Sequence, residues 1–227
     1  AKLAQRMLNG SFSIKQDPLF FINRSYADFG IDLVIKGYPL FVQAQPNQLG
    51  ASGQNLFSIC KGVGAYNQAN RVVSFIQEHP NERGLIYVNQ HSVREWLLPF
   101  LERAGIKYGC INGKTSKSSD DEIMMKFNEL HQIDVVITSV TEAIDLDCDW
   151  VLFYEYTVNV AQMIGRATRG LHSKTLSVYF MITEDTDELA YFYNNIYKVS
   201  EVIRRVFDKS YSAVFDVKNK TILKDLA

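Results

Sequence analysis

The sequence predicts an α/β fold in which helices cover both faces of a parallel β-sheet. Between residues 84 and 182, short apolar, β-prone runs alternate with segments whose apolar side chains recur every three or four residues. This alternation is typical of parallel sheets, because parallel strands need a crossover connection that a helix usually provides. The run 133–138 is apolar except for Asp134 and its last residue, as expected of a strand buried on both faces.

The predicted elements of this segment follow one another without long gaps. They are a strand at 84–89, a helix at 92–103, a strand at 106–111, a helix opened by a capping box at 119–122, strands at 133–138 and 150–154, a helix at 159–166 and a strand at 175–182. Gly105 is a suitable C-terminal stop for the helix at 92–103. Strand-to-helix loops, where functional residues of such folds lie, therefore occur at 112–116 and after Thr138.

The two ends of the chain have weaker patterns. We predict a helix at 65–79, two strands at 32–36 and 39–42 around a turn, a loop at 46–53 and a long helix beyond 186. The predicted organisation is a linker, an N-terminal extension or the tail of a preceding domain at 1–80, a core at 81–184, and a C-terminal helical extension at 185–227.

Composition excludes several classes of protein. Of the 227 residues, 47% are hydrophobic and 22% charged, which is typical of a globular domain, and no apolar run has the length of a membrane span. The start lacks the core of a signal peptide and an initiator Met, so we expect a fragment or processed product, cytoplasmic or nucleoid or nuclear and not secreted. Three widely spaced cysteines predict neither a metal site nor a disulfide framework.

The tetrapeptide GKTS at 113–116 matches the end of a phosphate-binding P-loop. The full motif needs a glycine five residues before Gly113, and that residue is Tyr108. The segment is therefore predicted to be a strand-to-helix loop rather than a P-loop. It lies in the stretch 103–119, which has no acidic residue, and 156–183 also has none; the two stretches would form one basic patch if the fold brought them together.

The segment QMIGRATRG at 162–170 carries the most specific pattern. Gln162 is followed by Gly165 and Arg166, and Arg169 lies three residues further, where two arginines share one face of a helix. Paired guanidinium groups can clamp a transferring phosphoryl group and stabilise its transition state. The segment resembles motif VI of superfamily 2 helicases.

Three more segments match this family in the family's order. LIYVN at 85–89 resembles motif IV, INGKTS at 111–116 resembles the loop after the second strand, and VVITSV at 135–140 with EAIDL at 142–146 resembles motif V. The resemblance covers about residues 84–182 and implies the second RecA-like domain, of the P-loop NTPase type. Motif V usually has a glycine before its apolar-Asp pair, which is absent here, so Asp147 competes with Asp145 for that position.

The resemblance implies a role for each matched residue. ATP would lie between two RecA-like domains, and the P-loop and Mg²⁺ ligands would belong to a preceding domain that this sequence does not contain. Arg166 and Arg169 would be catalytic, while Gln162, Gly165 and Asp145 would bind ATP or couple its site to the strand. The residues that would hold the backbone of a nucleic acid are Thr138, Ser139, Gly113, Lys114, Thr115 and Ser116.

We therefore expect the C-terminal half of an ATP-dependent helicase or translocase, inactive alone, with DNA favoured over RNA as its partner. One alternative is a helicase-derived module that binds nucleic acid without ATPase activity. Another is a free-standing α/β enzyme that uses 113–116 as a phosphate site. The arginine pair disfavours the first alternative, and the incomplete P-loop disfavours the second.

Overall fold

The computed structural model describes residues 20–26, 31–43, 56–89, 91–114, 116–140, 144–155, 160–168, 174–183, 211–216 and 221–224. The strands of this described part are β1 Phe20–Tyr26, β2 Ile31–Val42, β3 Gly84–Tyr87, β4 Tyr108–Ile111, β5 Val135–Thr138, β6 Trp150–Phe153, β7 Lys174–Thr183, β8 Tyr211–Asp216 and β9 Thr221–Lys224. The helices are α1 Leu56–Glu78, α2 His91–Arg103, α3 Lys117–Asn128 and α4 Val160–Arg166. No helix within these ranges is long and apolar enough to span a bilayer.

All nine strands belong to one sheet, in the order β4-β5-β3-β6-β7-β2-β1-β8-β9. The first six strands of this order pair in parallel, and β1, β8 and β9 then extend the sheet through antiparallel pairs. The predicted parallel sheet is confirmed, and its antiparallel extension was not predicted.

Side chains of the central strands alternate between two apolar layers, as the twofold period of a strand requires. Leu85 and Tyr87 of β3 enter a layer with residues of α3 and α4, whereas Ile86 and Val88 enter a layer with residues of α1 and α2. We call these the α3/α4 face and the α1/α2 face. The prediction that helices cover both faces of the sheet is therefore confirmed.

An aromatic cluster fixes the α1/α2 face. Phe75 of α1 packs edge-on against Trp150 of β6, with ring centroids 5.0 Å apart, and against Tyr179 of β7 at 4.6 Å. The Trp150 ring lies directly over Gly84 of β3, where an added Cβ would be 2.1 Å from the nearest ring atom. Glycine is the residue that lets the indole approach the backbone here.

Several boundaries differ from the sequence prediction. The two strands expected at 32–36 and 39–42 are one strand, β2, and α1 extends the helix expected at 65–79 to an earlier start. In β2, Pro39 lies beyond Gly37, the last residue that pairs with β1. Its missing N–H can therefore face the side on which the described part of β2 has no neighbour.

Three other assignments change. Residues 211–216 and 221–224, predicted to belong to a helical extension, form strands β8 and β9 joined as an antiparallel pair. The capping residue of α3 is Ser116, whose hydroxyl accepts the Ser119 N–H, and the predicted capping box at 119–122 is wrong. The long helix predicted beyond 186 lies outside the described residues. The division at residue 80 stays a proposal, although β2 pairs with β7 within the sheet.

Candidate functional site

The loops after β4 and β5 lie side by side at the carboxyl edge of the sheet. Ile111 and Thr138, the last residues of these strands, are register partners, so the two chains leave the sheet together. Gly113 then lies beside Val140, because a Cβ on this glycine would be 3.6 Å from the valine Cγ1. The structure thus brings together two of the segments predicted to contact a nucleic-acid strand. Thr115 lies outside the described residues.

The side chain of Thr138 stabilises the loop after β5 through hydrogen bonds to its main chain. Its side chain is fully buried, and its Oγ1 accepts the Val140 N–H at 3.1 Å and donates to the Val140 carbonyl at 3.3 Å. This local ring of hydrogen bonds fixes the turn that presents the half-buried Ser139. These hydrogen bonds favour a role for Thr138 in positioning Ser139 and the rest of this loop.

The loop after β4 has exposed donors. Gly113 and Lys114 are exposed, and the Lys114 N–H donates to Asn112 Oδ1 at 2.9 Å, which is an Asx-type turn. Ser116 is also exposed, but its hydroxyl caps α3 by accepting the Ser119 N–H at 3.3 Å. The start of a helix carries partial positive charge, so this loop is electrostatically suited to a phosphate group.

The segment 144–148, which matches the end of motif V, is held by two side chains of α3. The Asp145 N–H lies 3.5 Å from Met124 Sδ, and Asn128 Nδ2 donates to the Asp145 carbonyl at 2.8 Å. The Asp147 N–H donates to Asn128 Oδ1 at 3.0 Å. Asp145 itself is exposed, so its side chain extends from a backbone that α3 fixes.

The helix α4 carries the motif VI residues. Met163 and Ile164 are buried in the α3/α4 face, whereas Gln162 is exposed and Gly165 and Arg166 are half-buried. Arg169 lies outside the described residues. Apolar side chains therefore anchor α4 on the sheet and leave its polar motif residues near the surface.

Backbone hydrogen bonds join the two motifs. The Leu146 N–H donates to the Arg166 carbonyl at 3.0 Å, and the Cys148 N–H donates to the Ala167 carbonyl at 3.3 Å. Asp147 and Thr168 also form an isolated antiparallel bridge. The end of α4 and the motif V segment are thus attached to each other through their main chains.

The competing candidate Asp147 has an evident structural partner. Its carboxylate forms an ion pair with Lys174 Nζ, which also donates to the Cys148 carbonyl at 2.7 Å. The neighbouring Cys148 thiol is fully buried, and this burial raises its pKa. The described contacts therefore explain Asp147 as part of the support of the segment, and Asp145 remains the better candidate for a coupling role.

The candidate site consists of two separate places rather than one compact pocket. One is formed by the loops after β4 and β5, and the other by α4 and the motif V segment. The strand β3 separates β5, which leads into the 139–140 loop, from β6, which leads into α4. Adjacent strands are about 4.8 Å apart, so the two parent strands are separated by about 10 Å. A separate cavity of about 440 Å³ lies among residues 76–77 and 79–83, His131 and Asp134, and it contains none of the predicted site residues.

Sequence reasoning missed Met124, Asn128 and Lys174. Met124 and Asn128 belong to the apolar and polar positions of an ordinary amphipathic helix, and Lys174 is one surface-type lysine at the start of a strand. Their contacts join residues 17 to 27 positions apart, so the local sequence around each gives no signal of its partner.

Comparison with protein-family models matches residues 67–171 to the helicase conserved C-terminal domain. A search of curated proteins finds no significant match. Two solved structures share the fold. The C-terminal part of the Fun30 ATPase domain is 18% identical, with a TM-score of 0.50 over 72% of this chain and 50% of that chain. The Sulfolobus solfataricus SWI2/SNF2 ATPase core in complex with dsDNA is 11% identical, with a TM-score of 0.53 over 76% and 45%.

The chain thus spans about half the length of these two solved structures. The family match begins within α1 and ends after α4, so it includes the motif IV, V and VI segments. The parallel sheet, its helices on both faces and the family match agree with one another. Residues 67–171 thus match the helicase conserved C-terminal domain, and the two solved structures have the same fold.

Proposed function

We propose that the chain is the C-terminal half of an ATP-dependent nucleic-acid helicase or translocase. The observation that carries the proposal is the set of main-chain contacts between 146–148 and 166–168, where motif V and motif VI meet. A motor needs such a junction, because a change at its ATP site must reach the residues that hold the strand. A module that only binds nucleic acid has no such need.

On the strand side, the loops after β4 and β5 hold the phosphate backbone. Exposed Gly113 and Lys114 and half-buried Ser139 supply N–H, ammonium and hydroxyl donors, and Thr138 keeps the second loop in shape. Thr115 and Ser116 extend this donor set. Contacts of this kind position a strand without reading its sequence. DNA is the partner we propose, and RNA is the alternative to test beside it.

On the nucleotide side, Arg166 and Arg169 face the phosphates of ATP across a cleft, with Gln162 and Gly165 beside them. The donors of Gln162 and Arg166 suit phosphate oxygens, since an amide and a guanidinium both present N–H groups. When bound, ATP supplies the phosphoryl group, and Mg²⁺ offsets its charge. A first RecA-like domain in the parent polypeptide supplies the P-loop and the Mg²⁺ ligands.

Strand binding is tested on the chain itself by titrating labelled thymidine and uridine homopolymers at two salt concentrations. We expect weak binding that falls as salt rises, because phosphate contacts release counterions. Lys114→Ala weakens it. The matched control is Lys107→Ala, which removes an exposed lysine before β4, at the opposite edge of the sheet. If Lys114→Ala and Lys107→Ala lowered strand affinity equally, the loop after β4 would have no specific role in strand binding.

ATP turnover is tested on the chain alone and on a protein that also contains the first RecA-like domain. The chain alone is expected to be inactive, and the longer protein to hydrolyse ATP when a strand is added. Turnover by the chain alone at about one per second, a usual enzymatic rate, would overturn the proposal if Lys114→Ala abolished it. A longer protein that binds strands without turnover would instead be a binding module.

A further inference from the structure

The helix α3 connects the two places of the candidate site. It starts directly after Ser116, in the loop proposed to hold a strand, and its last residue is Asn128, which contacts the motif V segment. Twelve residues of α-helix span about 18 Å, so the helix reaches from one place to the other as a single element.

Two side chains at the far end of α3 contact the motif V segment. Met124 and Asn128 are four residues apart and therefore lie on one face of the helix. Together they engage the N–H and the carbonyl of Asp145, and Asn128 also accepts the Asp147 N–H. An asparagine amide suits this task, because it has a donor and an acceptor in one plane.

Packing keeps α3 in place between its ends. Phe127 is fully buried, and the Arg83 guanidinium lies 5.0 Å from its ring centroid and donates to its carbonyl. Ile123 packs closely against Gly109 of β4. A Cβ added to Gly109 would lie 2.6 Å from the Cγ2 of Ile123. Helix formation is cooperative, so stabilising the first turn of an anchored helix also stabilises its last turn.

The contacts continue from the motif V segment to α4. Leu146 and Cys148 flank Asp147, whose N–H donates to Asn128. Their own N–H groups donate to the carbonyls of Arg166 and Ala167. A chain of hydrogen bonds therefore runs from the end of α3 to the residue proposed to face ATP. Directional contacts of this kind can transmit a change in stability between two sites.

We propose that α3 couples strand binding to the ATP site, and that Asn128, assisted by Met124, is the positioning residue that makes this coupling. A nucleic-acid strand held at Gly113, Lys114 and Ser116 stabilises the start of α3, and the contacts of Asn128 extend this stabilisation to 146–148 and the end of α4. The inference rests on the proposed function, because it needs a strand at that loop.

Hydrogen–deuterium exchange on the 227-residue chain tests the proposal, with the thymidine homopolymer as the probe. In the unaltered chain we expect the strand to slow exchange at Ser119 and Asp120, and also at Leu146, Asp147 and Cys148. The remote slowing should be about fivefold, the lower end of usual coupling between sites. In Asn128→Ala, the slowing at 119–120 should persist while the slowing at 146–148 disappears.

Asn67→Ala is the matched control. Asn67 also donates from its side-chain amide to a main-chain carbonyl on another element, that of Gln43, at 2.9 Å. Since this hydrogen bond joins α1 to the end of β2, its loss should leave both effects of the strand intact. A loss of remote slowing in Asn67→Ala would show that any lost hydrogen bond suffices, and would overturn the role of Asn128.

Two further outcomes separate the inference from the proposed function. Slowing at 119–120 without slowing at 146–148 in the unaltered chain would overturn the coupling and leave strand binding standing. No slowing anywhere would overturn both. If Asn128→Ala does not fold, Met124→Leu replaces it, because this swap removes the sulfur acceptor at nearly constant volume. Partial loss of remote slowing in that variant supports the proposal, and full retention contradicts it.

Discussion

The two faces of the sheet are built by different kinds of contact. On the α1/α2 face, Phe75, Trp150 and Tyr179 form an apolar aromatic cluster. On the α3/α4 face, an apolar layer is overlaid by polar contacts that attach the motif V segment to α3 and α4. Hydrophobic burial is non-directional, whereas hydrogen bonds fix distance and angle. Both faces are therefore packed by apolar side chains, and the α3/α4 face adds the directional contacts that fix the motif V segment.

If this comparison holds, substitutions at the motif residues of the α3/α4 face should mainly change ATP turnover. Substitutions in the aromatic cluster of the α1/α2 face should mainly change stability. Arg166→Ala, tested in a protein that includes the first RecA-like domain, should lower strand-stimulated ATP turnover by about 10³-fold, because such an arginine stabilises charge in the transition state. The backbone contact should persist in this variant, since the main-chain carbonyl of residue 166 still accepts the Leu146 N–H.

The control for this variant lies on the opposite face. Arg71→Ala removes an arginine of α1 whose side chain is 30% exposed and paired with Glu78 at 3.0 Å. Exposed ion pairs contribute little, so neither turnover nor stability should change measurably. A turnover loss in Arg71→Ala similar to that in Arg166→Ala would remove the distinction between the faces.

Trp150→Ala tests the aromatic cluster of the α1/α2 face. The side chain is fully buried over Gly84, and its loss should cost about 3–5 kcal/mol of unfolding free energy through lost burial and a cavity. Chemical denaturation measures this cost. The folded fraction should still bind single strands with unchanged affinity. A cost below about 1 kcal/mol would mean that the cluster contributes less than ordinary core packing.

Gly109→Ala tests how α3 packs against the sheet. The new methyl would meet Ile123 Cγ2 at 2.6 Å, and a β-branched side chain has few rotamers with which to yield. We expect a cost of about 1–3 kcal/mol, typical of overpacking, together with weaker strand binding because the N-terminal end of α3 shifts. Gly113→Ala is the control for the stability measurement alone, since its methyl would only reach ordinary contact with Val140 at 3.6 Å and Gly113 itself belongs to the loop proposed to hold the nucleic-acid strand.

The thiols of Cys148 and Cys110 probe the two faces without any substitution. Cys148 is fully buried in the α3/α4 face, whereas Cys110 is half-buried beside the α1/α2 layer, and burial raises the pKa of both thiols. The reactive thiolate therefore becomes more abundant as pH rises. Between pH 7 and 9, alkylation followed by peptide mass spectrometry should modify Cys110 progressively and leave Cys148 protected. Early modification of Cys148 would show that the motif V segment detaches readily.

The elements with strong periodicity were predictable from the sequence. The runs at 133–138 and 150–154 are apolar enough to identify buried strands, and the helix at 92–103 repeats its apolar positions regularly. The sequence does not identify β2 as one element, because Gly37 and Pro39 are usual turn residues. Pairing with β7, and for Gly37 also with β1, shows that they lie in a strand. Similarly, the position of β8 and β9 in the sheet depends on pairing that their local sequence does not specify.

For the candidate site, the resemblance to superfamily 2 helicases named the segments, but the sequence did not predict how they meet. The motif residues Thr138, Asp145 and Arg166 all come from that resemblance. The burial of Thr138, and the attachment of Asp145 to Asn128, depend on the packing of α3 against a segment 17 residues away. Contacts of this range follow from the whole fold, and a single sequence contains no direct signal for them.

The close approach of Trp150 to Gly84 also constrains how this chain can diverge. Any side chain at position 84 would occupy the space of the indole, and a smaller residue at position 150 would leave that space empty. Neither position can readily change first, so an intermediate sequence would be selected against. In related chains we expect the two positions to covary, with a larger residue at 84 accompanied by a smaller one at 150.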